Sequence, residues 1–314
     1  MKTFLNLSQK EKSSFVEEVF NLRKQGFGYT KIIKFMKLKE GVRLSKGTLY
    51  YWFNNKVKLM GGKNFFEQKP STELSYLLGV MFGDGCLSIN AKKCEYRIRL
   101  EAIDKDFVKR FAESLSKLLG KENAYPICKT KRGMYSAESR SKDLYYFLKQ
   151  IKENFSNIKI YTEEFPAEFI RGLADSEGCP GISAKRKFGV SIIVAVSTNL
   201  ALLEFTYSLL KRFEINSKIR RCRKKGETDS IINNRPITRT KDLYSLTISK
   251  KKDVLKFSES IGFYIERKQK KLKEAAKLMF LPNKIALRIW KQKYKKTPKE
   301  WKPVEDCSLL GCGG

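Results

Sequence analysis

The sequence predicts an α+β protein in which two pseudo-symmetric αββαββα halves form a saddle, preceded by a small all-α unit. Three observations predict it. A short apolar helix pattern with an internal glycine, ending in an acid and a second glycine, occurs twice, with the acids 93 residues apart (177 − 84 = 93). After each copy the hydrophobic pattern alternates in the same order between the two-residue period of strands and the longer period of helices. Residues 1–56 follow a different pattern, with short helical segments separated by glycines and a basic turn.

In residues 1–56, Ser8 is placed to cap a helix, with Glu11 three residues on. Phe15, Val16, Val19, Phe20 and Leu22 recur at helical spacing, and Gly26 and Gly28 end the segment. Tyr29 to Met36 gives a second helix with Ile32, Ile33 and Phe35 available for burial. After a Lys37–Arg43 turn, Ser45 caps a third helix reaching Asn54, in which Leu49, Tyr50 and Trp52 alternate with Lys46, Thr48, Tyr51 and Asn54. Three such helices resemble a helix-turn-helix. The resemblance turns Ser45, Lys46, Thr48 and Tyr51 toward a DNA major groove.

Residues 57–71, rich in lysine and glycine, read as a linker. The first half, 72–162, opens with an apolar helix over Glu73–Gly83. Strands follow at Cys86–Ala91 and Tyr96–Ala102, a helix at Asp104–Leu119, strands at Tyr125–Thr130 and Tyr135–Ser139, and a helix at Lys142–Lys152. The second half, 163–272, opens at Pro166. It runs through a helix to Ser176, strands at Gly181–Lys185 and Val190–Ser197, a helix at Asn199–Phe213, strands at Ser217–Arg223 and Tyr244–Ser249, and a helix at Lys252–Ile261. Residues 273–314 read as a basic helical extension with a weakly ordered tail after Pro298.

Charge narrows the function. The 314 residues include 65 Lys and Arg against 33 Asp and Glu, a formal charge of +32. Such an excess repels itself and calls for an anionic partner, of which nucleic acid is the foremost, because phosphate neutralisation releases counterions. A membrane surface is disfavoured, since the basic residues are spread along the whole chain and form no amphipathic anchor. No apolar run is long enough to span a bilayer, and the first residues lack the apolar core of a signal peptide, so a cytoplasmic location is expected. Seven cysteines without a CxxC pair argue against a zinc site or a disulfide framework. The chain contains no histidine. That excludes Ser-His-Asp and Cys-His hydrolysis and histidine-based zinc or nuclease chemistry. Hydrolysis here has to rest on carboxylates, lysines and a hard metal ion.

The repeated motifs supply such carboxylates. The first reads Leu77-Leu-Gly-Val-Met-Phe-Gly-Asp-Gly85 and the second Ile170-Arg-Gly-Leu-Ala-Asp-Ser-Glu-Gly178. Gly79 aligns with Gly172 and Asp84 with Glu177. A glycine within a helix costs about 1 kcal/mol of helix propensity but permits close approach of another helix backbone. If the two helices pair, Asp84 and Glu177 arrive side by side. Adjacent carboxylates repel each other and favour a divalent cation such as Mg²⁺, which takes oxygen ligands and retains waters.

These segments resemble the paired motifs of the LAGLIDADG homing endonuclease family, over about Ser71 to Leu272. The resemblance implies a sequence-specific, metal-dependent endonuclease acting on double-stranded DNA, with Mg²⁺ or Mn²⁺ held by Asp84 and Glu177. It implies a catalytic-site lysine, for which Lys268 is the candidate, stabilising phosphate charge or orienting a water. Asp175, in the motif's sixth position, is expected to stabilise the helix end. The strands would line a concave DNA-binding saddle. Alternation predicts that Arg97 and Arg99 share a face, as do Lys129 and Lys131, Lys185 and Lys187, and Arg221 and Arg223. Both halves lie in one chain, so a monomer is expected. Two alternatives built on the same fold are a maturase that binds intron RNA and a DNA-binding regulator that does not cut.

Overall fold

A computed structural model of the chain describes residues 2–4, 7, 9–54, 66–90, 95–232, 235–297 and 301–304. The chain divides into two units, Met1–Glu67 and Gln68–Gly314. Ser8 and most of the expected linker lie outside the described residues.

The first unit comprises β1 (Lys2–Thr3), α1 (Gln9–Lys24), α2 (Tyr29–Glu40), β2 (Val42–Arg43) and α3 (Lys46–Asn54). Its core gathers Phe15, Val19, Ile32, Met36, Leu49 and Trp52. The second helix runs one turn past the expected end at Met36. It stops at Gly41, whose φ of +66° suits glycine and whose N–H reaches the Lys37 carbonyl. The parallel pairing of β1 with β2 had no signal in the sequence, because two-residue strands carry no period. Ser45 caps α3 as expected, its Oγ accepting the Thr48 N–H at 3.0 Å. Tyr50, expected on the inner face of α3, is instead 61% exposed; Leu49 and Trp52 suffice to bury that helix.

In the second unit, each half repeats one order of elements. The first half has α4 (Thr72–Met81), β3 (Cys86–Asn90), β4 (Glu95–Ala102), α5 (Lys105–Leu118), β5 (Cys128–Lys129), β6 (Tyr135–Arg140) and α6 (Lys142–Glu153), then a short α7 (Ile158–Thr162). The second has α8 (Pro166–Glu177), β7 (Cys179–Ala184), β8 (Phe188–Ser197), α9 (Leu200–Arg212), β9 (Lys218–Arg223), a hairpin of β10 (Thr228–Ile232) and β11 (Arg235–Thr238), β12 (Leu243–Ile248) and α10 (Lys251–Ser260). The strands form two four-stranded antiparallel sheets ordered β3-β4-β6-β5 and β7-β8-β12-β9, the same topology twice. Then come α11 (Glu266–Leu278), α12 (Asn283–Lys293), β13 (Tyr294–Lys296) and β14 (Trp301–Pro303).

Four expectations need correction. The strand expected at Tyr125–Thr130 shrinks to two residues, because the Tyr125 N–H is taken by Ser116 Oγ at 2.9 Å and Pro126 has no N–H to give. Lys131 therefore sits in the turn closed by Gly133, whose N–H meets the Thr130 carbonyl. The β10–β11 hairpin is an insertion in the second half alone. Within the tail expected to be weakly ordered after Pro298, Trp301–Pro303 pair with Tyr294–Lys296, and the Trp301 indole donates to the Ile182 carbonyl at 3.2 Å; residues 305–314 lie outside the described residues.

The helices α4 and α8 meet at the centre of this unit. Leu74, Tyr76, Leu77, Leu78 and Val80 of α4, with Phe169, Ile170 and Leu173 of α8, are fully or almost fully buried. A Cβ on Gly79 would collide with the Phe169 carbonyl and stand 2.7 Å from Leu173 N. A Cβ on Gly172 would collide with the Tyr76 carbonyl and stand 3.1 Å from Val80 N. The two glycines thus let backbone meet backbone on either side of one contact, which is the use the sequence implied for them.

Candidate functional site

Both helices end at the same place. Gly83 follows α4 so closely against α8 that a Cβ there would strike Ser176 and lie 3.1 Å from Glu177 Cγ. Asp84 is the next residue. Gly178 stops α8 where a Cβ would come within 2.7 Å of three carbonyl oxygens, those of Ala174, Ile193 and Val194. The paired helices therefore deliver Asp84 and Glu177 to one neighbourhood, each just before its chain turns into a strand.

Their electrostatics bear this out. The protein packed beneath the outward-facing Asp84 pushes its carboxyl up from the usual range, and the positive charge of Lys268 opposes that rise. Glu177, half-buried, is pushed up by burial and further by the charge of Asp84, with Lys268 again opposing. Neither carboxylate has a hydrogen-bond or ion-pair partner among the described residues. Two crowded, mutually repelling carboxylates gain from a cation that replaces the missing counter-charge. No group of three or more Asp, Glu, Cys or His side chains able to hold a metal occurs among the described residues. A two-carboxylate donor set fits a hard divalent cation that completes its shell with waters and phosphate oxygens.

Lys268 is 7% exposed and stands at the end of α8. Its Nζ donates to the carbonyls of Asp175 at 2.6 Å, Gly178 at 2.7 Å and, more weakly, Ala174 at 3.4 Å. The cation thus neutralises the negative end of the helix that carries Glu177. Burial lowers its pKa, and Asp175 raises it in part.

Asp175 organises this arrangement, though not by capping its own helix. Its carboxylate is buried and accepts from Tyr264 N at 3.1 Å, Ile265 N at 3.3 Å and the Tyr76 hydroxyl at 3.1 Å. It joins α4, α8 and the residues leading into α11, which carries Lys268. Burial dominates its titration and raises its pKa to about 7, against the opposing effect of the Ile265 N–H, Lys268 and its other donors. The start of α11 is also fixed to the first half: the Glu266 N–H reaches Asp106, and the Arg267 guanidinium grips Asp104 with two hydrogen bonds. The guanidinium groups of Arg110 and Arg171 both pack on the Tyr264 ring, at 4.6 and 4.8 Å from its centre.

The first half has a basic group that the sequence did not single out. Lys152, exposed at the end of α6, has its pKa lowered by the protein packed around its base and partly restored by Cys86, two residues past Asp84. Cys179 stands two residues past Glu177 and acts on Lys268 in the same sense. The two lysines occupy different positions relative to their motifs, so no spacing argument links them.

The strand residues are less uniform than alternation implied. Arg97 and Arg99 share the face of β4 opposite the buried Ile98 and Leu100. They are paired there with acids, Arg97 with Glu95 at 2.6 Å and Arg99 with Glu101. Lys129 ends β5, and Lys131 lies in the turn beyond it, so no strand face joins them. Lys185 and Lys187 belong to the exposed turn between β7 and β8, not to a strand. In β9 the register slips between Arg221 and Arg223, and the two-residue period does not carry from one to the other. In the first unit, Lys46 and Tyr51 are exposed on α3, while the Ser45 and Thr48 hydroxyls bond each other at 2.8 Å.

The second of the two motifs lies in a segment that matches a known family. Residues 164–262 match the LAGLIDADG-like domain. The uncharacterised protein MJ0398 of Methanocaldococcus jannaschii is 34% identical over 89% of this chain and 99% of its own length. The second half carries a LAGLIDADG-like domain. Among solved structures, mesophilic variants of the homing endonuclease I-DmoI align with 25% identity and a TM-score of 0.41, covering 60% of this chain and 90% of theirs. The LAGLIDADG meganuclease I-AabMI, bound to uncleaved DNA, aligns with 12% identity and a TM-score of 0.42, covering 65% of this chain and 90% of its own. The LAGLIDADG match lies on the second half, which holds Glu177, Asp175 and the loop leading to Lys268. No helix among the described residues is long and apolar enough to cross a membrane.

Proposed function

We propose that this protein is a divalent-metal-dependent endonuclease of the homing type that cuts double-stranded DNA as a monomer. The observation that carries the reading is the convergence of Asp84 and Glu177 at the paired ends of α4 and α8. There each is crowded and has no hydrogen-bond partner among the described residues. A protein that only bound DNA would gain nothing from setting two carboxylates against phosphate.

Asp84 and Glu177 would hold Mg²⁺ or Mn²⁺. When bound, such an ion lowers the pKa of a water and polarises a phosphate oxygen. Lys268 acts through position: it fixes the end of α8 and places a positive charge within reach of both acids. Lys152, which feels the charge of Cys86 two residues past Asp84, is the candidate basic group of the first half. Arg97, Arg99, Lys129, Lys131, Lys185, Lys187, Arg221 and Arg223 would meet the DNA backbone or its bases, with Arg97 and Arg99 first exchanging their acidic partners. In the first unit, Lys46, Tyr51 and the neighbouring Tyr50 offer an exposed surface on α3 for a second DNA contact, alongside Ser45 and Thr48.

Supercoiled DNA libraries incubated with the chain and Mg²⁺ test the reading. Wild type should nick or linearise a subset of sites, while Asp84→Asn and Glu177→Gln should not. Equal cutting by all three, or no cutting by wild type with Mg²⁺ or Mn²⁺, would refute it. Selective binding to intron RNA without cutting would favour the maturase instead.

A further inference from the structure

We propose that α12 and the β7–β8 turn form one additional surface for the phosphate backbone of duplex DNA, held in shape by Asn283. The proposal rests on the DNA-binding reading above and adds a contact region in the C-terminal extension.

The helix Asn283–Lys293 contains no acidic residue. Lys284, Arg288 and Lys291 follow one another at four- and three-residue steps and so lie along one face, spanning about 10 Å. The opposite face buries Ala286 and Trp290. All three cations are exposed, and none has an ion-pair or hydrogen-bond partner among the described residues. This differs from the cations of β4, whose arginines are paired with acids on the same strand.

The stripe is tied to a second basic element. The Asn283 side chain accepts the Phe188 N–H at 2.7 Å through Oδ1 and donates through Nδ2 to the Arg186 carbonyl at 3.2 Å. One amide thus bonds the middle of the turn Lys185-Arg186-Lys187 and the first residue of β8, and stands where another strand's backbone would stand. The Phe188 ring packs on Trp290, which stacks on Tyr294 at 4.0 Å. A face kept basic only for solubility would need no fixed relation to this turn. Here a specific amide and a buried indole hold the start of α12 against the Arg186 backbone, in a cationic surface that fits a regularly spaced polyanion.

The test is equilibrium binding of the full chain to a short labelled duplex in EDTA, read by fluorescence anisotropy across a salt series. Each phosphate contact contributes about 0.9 to the slope of log K against log salt, so Lys284→Ala, Arg288→Ala and Lys291→Ala together should reduce the slope by about 2 to 3. A charge-matched set, Lys109→Ala, Lys117→Ala and Lys149→Ala, removes lysines of α5 and α6 that are paired with acids and should leave the slope near wild type. Asn283→Ala should speed hydrogen exchange at the Phe188 amide and weaken binding with all the cations still present. The proposal is overturned if the α12 set keeps the wild-type slope, if both sets reduce it equally, or if Asn283→Ala binds as wild type does. Failure of the nuclease reading appears separately, as the absence of metal-dependent cutting by wild type.

Discussion

The Lys268 ammonium donates to the Gly178 carbonyl at 2.7 Å, one residue beyond Glu177. This couples stability to the site. Replacing Lys268 with Met leaves the carbonyls of Asp175 and Gly178 without their donor, a loss of about 1.5–3 kcal/mol for hydrogen bonds to a charged group. It also removes the positive charge that opposes the raised pKa of both Asp84 and Glu177. Both acids then hold their protons to higher pH. Lys268→Met should therefore lower the denaturation midpoint and move the acidic limb of metal-dependent cleavage to higher pH. A variant as stable as wild type, with an unmoved pH profile, contradicts the assignment.

Repulsion between Asp84 and Glu177 gives a second expectation. Each has its folded pKa raised, so each contributes stability that is full below its unfolded pKa and lost as pH rises through the folded value. Above those folded values both are charged at the metal-free protein's expense. Glu177→Gln should raise the thermal midpoint in EDTA while abolishing the further rise that Mg²⁺ gives wild type. Thermal melts with and without the metal decide it. Destabilisation in EDTA would mean that Glu177 has a supporting partner instead.

The central glycines offer a test of the fold that positions these acids. Alanine at Gly79 or Gly172 gains about 1 kcal/mol of helix propensity. Against this, the new Cβ meets backbone atoms of the facing helix, which cannot swing aside as a side chain can. Overpacking costs about 1–3 kcal/mol and more where nothing gives way, so the collision wins. Gly79→Ala and Gly172→Ala should each lower the denaturant midpoint. They should also weaken Mg²⁺ binding by spreading the helix ends. A neutral or stabilising effect would show that the interface is looser than its geometry.

The contrast between helix pair and strands explains what was legible in the sequence. Gly79, Gly172, Asp84 and Glu177 act through chain-local spacing, and a motif repeated 93 residues apart made their pairing readable. The saddle residues depended on strand alternation, which fails where Pro126 shortens a strand, where Lys185 and Lys187 fall in a turn, and where β9 slips register. Lys268 stood out only through family resemblance. Its contacts with the end of α8 join residues about 90 positions apart, beyond any local pattern. Lys152 and the Asn283 brace are long-range in the same sense, and the β10–β11 hairpin breaks the repeat in one half alone.

Asp175 yields a pH-dependent prediction. Burial raises its pKa from about 3.9 in an unfolded chain to about 7 in the fold. The fold thus favours the protonated form. Its contribution to stability is full below about pH 3.9 and has gone once pH rises through about 7. Asn at this position resembles the protonated carboxyl. One oxygen remains for the Tyr264 and Ile265 N–H groups, and the amide can donate to the Tyr76 hydroxyl, which now accepts. Asp84 and Glu177 titrate in the same direction, so the informative quantity is the difference between proteins. Denaturant midpoints in EDTA between about pH 5 and pH 8 should fall more steeply for wild type than for Asp175→Asn, and the variant should be the more stable of the two at the alkaline end. Parallel pH curves would show that Asp175 stays ionised throughout, held so by its three donors and the nearby Lys268.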